Sequence, residues 1–283
     1  MPPERVALFA TCLGDRFFAE ACTDTVRVLR HFGVEVDVPP GQTCCGQPAY
    51  NIGQRAQAAR MARHTSSTFA TADYVVLPSG SCAGMIRGFY AGLLRVDDVP
   101  IVGHGSAMAA PVPDESRETL SLPERTYELS EFLVHVLRLA APAPEMTPLG
   151  PDSSRPPLGT GLAGKRIAYH HGCHALRELG VREEPLALLR ACGAEVVPWE
   201  ADTECCGFGG LFSSKFPEVS AGMADRKLDA LPPVIDAVAS ADGGCLLQLS
   251  GRARRRAASS TGPSHASPRF VHLATLLREG IGA

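Results

Sequence analysis

The sequence has little of what marks a membrane, secreted or nucleic-acid-binding protein. Its 283 residues include 27 basic and 30 acidic side chains, and the net charge of -3 supplies no excess positive charge for phosphate contacts. No run approaches the roughly 18 uncharged apolar residues of a transmembrane helix. The first apolar stretch is interrupted by Asp15 and Arg16, unlike the core of a signal peptide. We therefore expect a cytoplasmic protein with no nucleic-acid partner and no direct insertion into a membrane.

The sequence also lacks the motifs of a built-in nucleotide or flavin site. It has no P-loop, no nucleophile elbow and no Gly-x-Gly-x-x-Gly element. Cysteine, by contrast, is abundant, with ten residues. A reducing compartment disfavours disulfides, so these cysteines indicate metal binding or redox chemistry.

Eight of the ten cysteines recur in register when the chain is compared with itself at an offset near 160 residues. The first cysteine set is Cys12, Cys44, Cys45 and Cys82, and the second cysteine set is Cys173, Cys205, Cys206 and Cys245. The first two members of each set are 32 residues apart in both halves. Each set contains a Cys-Cys-Gly motif, and each first cysteine ends a β-rich run. The chain is therefore predicted to be an internal duplication.

The pattern between these cysteines alternates strand and helix. In the first half we predict strands at 6–10, 34–38 and 74–78 and helices at 17–32, 52–70 and 85–94. Such alternation is typical of an α/β fold, here two pseudo-repeated βα (Rossmann-like) halves with mainly parallel sheets. Functional groups in such sheets gather at the carboxyl ends of strands, where the cysteines fall. The members of each set are therefore expected to converge.

The chain divides at a proline-rich segment. We predict a first cysteine-rich domain at 1–140, closed by a helix at 127–140, a Pro/Gly-rich linker at 141–163, and a second cysteine-rich domain at 164–283. The arginine-rich run at 252–256 is interpreted as a solvated loop. A final strand turn and helix are predicted at 270–279.

Four thiolates per half equal the ligand count of one [4Fe–4S] cluster, so we predict one iron–sulfur cluster per half. Zinc at one or both sites is the main alternative, although zinc ligands are usually spaced by two to four residues rather than adjacent. A zinc-stabilised assembly module and a thiol–disulfide redox protein stay open as functions. Cys22 and Cys192 have no counterparts in the other half and are expected to pack in the core. Several glycines near the cysteines are expected to let backbone amides approach a cluster: Gly46, Gly80, Gly84, Gly207 and Gly209.

Three histidines flank Cys173, namely His170, His171 and His174. Neutral imidazole binds both iron and zinc, so each is a candidate ligand or proton relay. The first half has no histidines around Cys12. We therefore expect a packing or ligand-orienting role, with a substrate site confined to the second half as the alternative.

Four sequence motifs carry a family resemblance that covers nearly the whole chain. They are TCCGQPA at 43–49, PSGSCAGM at 78–85, TYELSEF at 126–132 and CCGFGG at 205–210. As a set they resemble the cysteine-rich CCG domain that is found twice in the cysteine-rich component of heterodisulfide reductase, in the iron–sulfur component of glycolate oxidase and in lactate-utilisation A proteins. The likeness is greatest to the lactate-utilisation branch.

The resemblance implies electron transfer in the oxidation of L-lactate to pyruvate, together with a larger iron–sulfur protein and a third subunit. It also implies that the first cysteine set ligates one cluster and the second cysteine set another. The fuller family pattern ends in Cys-x-x-Cys, whereas this chain has Met85 and Gln248 at the last positions. The resemblance therefore does not extend to the noncubane cluster or to disulfide cleavage.

Overall fold

A computed structural model of the chain describes residues 3–94, 121–141, 154–259 and 268–283. The first half comprises β1 (Arg5–Leu8), α1 (Cys12–Phe17), α2 (Ala19–His31), β2 (Glu35–Asp37), α3 (Gln47–Asn51), α4 (Arg55–Thr68), β3 (Val75–Leu77), α5 (Gly80–Leu94), a 3₁₀ turn (Leu122–Arg125), β4 (Thr126–Glu128) and α6 (Leu129–Glu131), which continues as a π-helical turn (Phe132–Val136). The second half comprises β5 (Arg166–Tyr169), a π-helical turn (Ala175–Leu179), α7 (Glu184–Ala191), β6 (Glu195–Val196), α8 (Leu211–Lys215), α9 (Pro217–Asp229), β7 (Ala237–Ser240), α10 (Gly243–Ser259), β8 (Arg269–His272) and α11 (Leu273–Ile281).

Each half contains a four-stranded sheet in which all strands are parallel. The strand orders are β2-β1-β3-β4 and β6-β5-β7-β8, so the two sheets have the same topology. The central strands β3 and β7 are buried along their whole length, which explains their continuous apolar sequences. The prediction of two repeated α/β halves with parallel sheets is confirmed.

The two halves exchange helices, in that a helix of each half packs against a helix of the other. The last helix, α11, packs on α2 of the first half, and α6 packs on α7 of the second half. Leu29, Phe132, Leu188 and Leu277 are fully buried in one core that both halves share. This exchange fixes the two sheets relative to each other, and it brings the carboxyl ends of β1 and β3 opposite those of β5 and β7.

Two predictions of local structure are wrong. Residues 126–128 form the strand β4, which pairs with β3, whereas a helix was predicted from 127. The run at 252–256 lies in α10 rather than in a loop, because Arg252 and Arg256 face acidic side chains of α9. The strand and helix predicted at 270–279 are confirmed by β8 and α11.

The domain division at 1–140, 141–163 and 164–283 stays a prediction. Most of the predicted linker, including Pro142, Pro144, Pro148 and Pro151, lies outside the described residues. No helix in the described ranges has the length and apolar character needed to cross a membrane.

Candidate metal centre

Each cysteine set occupies the carboxyl ends of the strands in its own sheet. Cys12 begins α1 directly after β1, and Cys82 lies in the first turn of α5 after β3. Cys44 and Cys45 lie in the loop between β2 and α3. Because β1 and β3 are where the strand order reverses, these loops open the crevice in which α/β sheets bind their ligands. The second cysteine set has the matching placement around β5 and β7.

The thiols of each set approach one another without forming disulfides. The sulfur–sulfur distance is 3.6 Å between Cys12 and Cys44, 3.3 Å between Cys45 and Cys82, and 3.2 Å between Cys206 and Cys245. A disulfide bond is about 2.05 Å long, and all ten cysteines are free. Clustered free thiols are the donors that zinc and iron–sulfur clusters prefer. The structure thus brings together the predicted residues in an arrangement that fits a metal centre.

One cysteine in each Cys-Cys-Gly motif is prepared to be a thiolate. Hydrogen bonds from the Cys12 and Cys45 thiols lower the pKa of Cys44, and those from Cys173 and Cys206 lower the pKa of Cys205. The same contacts, together with burial, raise the pKa of the donating thiols. Thiolate is the form that binds metal, so these contacts favour Cys44 and Cys205 as first ligands.

The glycine of each Cys-Cys-Gly motif is required by backbone conformation and by space. Gly46 has a φ of 89° and Gly207 a φ of 82°, in the left-handed region that favours glycine. A Cβ on Gly207 would lie 2.6 Å from the carbonyl oxygen of Ser220 in α9. The turn also points the backbone N–H of Gly207 at the sulfur of Cys205, at 3.5 Å. The expectation that this glycine brings an amide to the thiols agrees with the geometry.

Gly80 and Gly84 lie at the contact between the two halves. A Cβ on Gly80 would lie 2.6 Å from the Cβ of Ala175, and one on Gly84 would lie 3.4 Å from the Cβ of Glu178. Gly80 therefore allows α5 to pack closely on the turn that follows Cys173 in the other half, whereas a Cβ on Gly84 would make an ordinary van der Waals contact.

A single cavity between the halves is lined by all eight cysteines of the two sets. Asp242 lies on its wall and joins the halves, because its carboxylate accepts hydrogen bonds from the backbone N–H of Ser81 at 2.9 Å and from the hydroxyl of Ser79 at 3.3 Å. Ser79 and Asp242 each stand three residues before the last cysteine of their set. The contact thus links equivalent points of the two sites.

The three histidines near Cys173 differ in environment. His170 is buried, and a nitrogen of its ring lies within 4.8 Å of the sulfurs of Cys206 and Cys245. Burial lowers the pKa of His170 to about 3, so its ring is neutral. His171 is also buried, and burial lowers its pKa to about 4. His174 lines the cavity and pairs with Glu178 at 3.2 Å. Of the three, His170 is the one whose ring nitrogen groups with two candidate ligand sulfurs among the described residues.

A buried lysine in α9 stands behind the second cysteine set. The ammonium of Lys227 donates to the carbonyls of Ala201 and Asp202 and lies 4.3 Å above the ring of Trp199. Burial lowers the pKa of Lys227 to about 8, and the electrostatic interaction with Cys206 and Cys245 opposes that shift. An ammonium held in this way places a positive charge beside the second site.

Sequence reasoning did not single out Asp242 or Lys227. Asp242 was detectable from its place three residues before Cys245. Lys227 carried no local signal, because a lysine in a helix is normally solvated. Both unrepeated cysteines are buried as expected. Cys192 lies in the shared core, and Cys22 also lines the cavity and donates to the carbonyl of Ala10 at 3.0 Å.

These features define a class of protein: two parallel α/β halves whose vicinal-cysteine motifs open on one cavity. A family profile described as CCG, "Cysteine-rich domain", matches the chain twice, at residues 6–87 and 167–250. The chain belongs to this cysteine-rich CCG domain family, as the resemblance in its motifs implies.

Curated relatives extend the similarity beyond the two matched segments. The chain is 39% identical over 254 residues to "Lactate utilization protein A" of Geobacillus sp. (strain WCH70), covering 89% of this chain and 93% of the relative. It is 40% identical over 253 residues to the protein of that name from Geobacillus kaustophilus, covering 89% and 92%. It is 33% identical over 279 residues to "Lactate utilization protein A 2" of Bacillus cereus (strain Q1), covering 98% and 99%. The similarity therefore includes both cysteine sets and the segment between them.

Proposed function

We propose that this chain is an electron-carrying protein of lactate utilisation and that each cysteine set holds an iron–sulfur cluster, [4Fe–4S] in type. The observation that carries the proposal is the pair of four-cysteine sets on one cavity, each with free thiols in close contact. The names of the curated relatives supply the process.

The residues of the chain have distinct roles in this proposal. The cysteines are the ligands, and a bound cluster supplies a one-electron carrier. The backbone N–H groups of Gly207 and Phe208 point at the sulfurs of Cys205 and Cys206, both at 3.5 Å. Hydrogen bonds to ligand sulfur stabilise the more negative, reduced state and raise the reduction potential. The protein thus fixes both the position and the potential of the carrier.

We assign the substrate chemistry to a complex rather than to this chain alone. The histidines beside the cavity are neutral or paired with carboxylates, and we place L-lactate oxidation to pyruvate in a cytoplasmic assembly with a larger iron–sulfur protein and a third subunit. The side chains around the cavity then serve electron transfer at the interface between subunits.

The test is the metal and acid-labile sulfide content, with EPR spectra, of the anaerobically purified full-length protein. We expect about four iron and four sulfide per cysteine set. The Cys45→Ser variant should lose one centre and Cys206→Ser the other, whereas Cys192→Ser, which alters a buried core cysteine, should retain both. Zinc without sulfide would overturn electron transfer and leave a zinc-stabilised assembly module as the function.

A further inference from the structure

His170 occupies a position where the first half has an apolar side chain. It follows β5 as Phe9 follows β1, and the backbone N–H groups of both bond to the neighbouring central strand, Phe9 to Val76 at 3.0 Å and His170 to Ala239 at 2.7 Å. Phe9 and His170 are both about 1% exposed. Because phenylalanine fills the matching space, packing alone does not require an imidazole in the second half.

The hydrogen bonding of the ring identifies which nitrogen is free. Nδ1 lies 3.2 Å from the carbonyl oxygen of Asp202, and a carbonyl only accepts, so Nδ1 carries the proton. Nε2 is therefore left with a lone pair. It is buried and has no hydrogen-bond partner among the described residues. A buried polar atom without a partner is rare in folded proteins and calls for a ligand.

The imidazole of His170 lies beside two thiols. A ring nitrogen of His170 and the sulfurs of Cys206 and Cys245 all lie within 4.8 Å of one another. Donor atoms this close together can bind one metal centre. A histidine that binds metal through one nitrogen typically donates its other N–H to a carbonyl or carboxylate, as Nδ1 does here.

We propose that His170 is a metal ligand of the second centre through Nε2, next to Cys206 and Cys245. The neutral ring binds without releasing a proton, since Nδ1–H stays on the Asp202 carbonyl, whereas each thiol that binds releases one. A [4Fe–4S] cluster takes four protein ligands, so His170 takes the place of one thiolate of the second cysteine set. The second centre is then a mixed nitrogen and sulfur site, and the first has thiolate ligands alone. Replacing thiolate by imidazole raises the potential of iron–sulfur centres. The second centre is therefore the electron acceptor of the pair.

This inference rests on the metal binding of the proposed function, and its test separates the two. The readout is pulsed EPR of the reduced full-length protein, prepared with natural-abundance histidine and with ¹⁵N-histidine. We expect the hyperfine coupling of a directly bound nitrogen that changes with the isotope and is lost in His170→Phe, the residue that the first half tolerates at this position. The control His174→Gln, which alters a half-exposed histidine of the same segment, should retain the coupling.

Each result is decisive. Iron and sulfide without nitrogen coupling in the wild-type protein, or coupling that survives in His170→Phe, would overturn the ligand assignment and leave the electron carrier in place. His170→Gln provides a second removal of the ring if the phenylalanine variant does not fold. Should the centre contain zinc, X-ray absorption of the wild-type protein and of His170→Phe is expected to show one fewer nitrogen neighbour in the variant. Wild-type protein without bound metal would overturn both proposals.

Discussion

The two cysteine sets stand on the same scaffold, but the side chains around them differ. Phe9 near the first set corresponds to His170 near the second, and Thr11, directly before Cys12, corresponds to Gly172. Ser79 faces its own counterpart, Asp242, across the interface. The duplication has therefore kept the strands, the turns and the thiols, while the side chains around the thiols have diverged.

Lys227, behind the second cysteine set, is another side chain that differs between the halves. A Cβ on Gly46 would contact Ala58 and Met61 of α4, and one on Gly207 would contact Ser220 and Met223 of α9. α4 and α9 are therefore equivalent helices of the two halves, and Lys227 of α9 corresponds to Thr65 of α4. Both side chains are buried. A neutral hydroxyl near one centre and an ammonium near the other give the two sites different electrostatic environments.

The largest expected difference between the halves concerns the glycines of the Cys-Cys-Gly motifs. Gly207→Ala combines a left-handed backbone with a Cβ 2.6 Å from the Ser220 carbonyl, whereas the nearest atom to a Cβ on Gly46 is the Ala58 carbonyl oxygen at 3.3 Å. From strain and overpacking we expect Gly207→Ala to lower the free energy of unfolding by about 4 kcal/mol and Gly46→Ala by about 2 kcal/mol. Denaturant unfolding of both variants measures this. Equal losses would mean that α9 moves away from the motif without cost.

The next expected effect is at Gly172, which packs directly against Asp242. A Cβ at this position would lie 1.9 Å from Oδ2 of Asp242 and would drive the carboxylate away from Ser79 and Ser81. We expect Gly172→Ala to destabilise the protein by about 2–3 kcal/mol. The first half has Thr11 and Ser79 at the matching positions, so the double variant Gly172→Ala/Asp242→Ser should recover part of the loss. Thermal unfolding of the two variants and of Asp242→Ser checks this, and purely additive losses would contradict the steric explanation.

Lys227→Met should change the potential of one centre and not of the other. At an effective dielectric constant near 20, a unit charge contributes about 4 kcal/mol at 4 Å and about 2 kcal/mol at 8 Å, so a buried charge beside a centre changes its potential by on the order of 100 mV. Removing it disfavours the more negative, reduced state, so we expect the potential of the second centre to fall and that of the first to stay. EPR-monitored redox titration measures both.

The matched control for Lys227 is its neighbour Arg226. Arg226 has the same charge but is exposed and paired with Glu204 at 2.7 Å, where water screens it. Arg226→Met should leave both potentials unchanged. A shift of both centres in Lys227→Met, or a shift of the second centre in Arg226→Met, would contradict the assignment of a local buried charge.

The sequence was sufficient for the repeat and for the strand ends at which the cysteines converge. Both follow from local pattern. In each half a β-rich run leads into a cysteine and the next cysteine follows 32 residues later, and this can be seen without knowledge of distant contacts. It was not sufficient for β4. Thr126–Glu128 is short and runs directly into the apolar helix that follows, so the helical pattern extended over it.

Contacts between the halves were outside the reach of sequence pattern. The packing of α11 on α2 and the contact of Asp242 with Ser79 join residues that are far apart in the chain. His170 was assigned a packing or orienting role because the first half has no histidine there. The useful signal was its position directly after the strand, where it matches the buried Phe9, because a buried polar ring needs a partner.

The smallest expected effect concerns the arginine-rich run of α10. Arg252 makes a bidentate ion pair with Asp225 of α9, at 2.8 and 2.6 Å. The comparison in the first half is Arg87 of α5, which contacts the two carboxylate oxygens of Glu131 at 2.6 and 2.8 Å. Both side-chain pairs are partly exposed, so we expect Arg252→Ala and Arg87→Ala each to cost about 0.5–1 kcal/mol, measured by denaturant unfolding.

The control for this pair is Arg255→Ala, which alters an exposed arginine on the same helix. Its expected cost is close to zero, because the side chain is in water before and after unfolding. The contrast discriminates between the helix and the loop that composition indicated. In a solvated loop Arg252 and Arg255 would be equivalent, whereas on α10 the spacing of Arg252 and Arg256 sets both against the acidic side chains of α9.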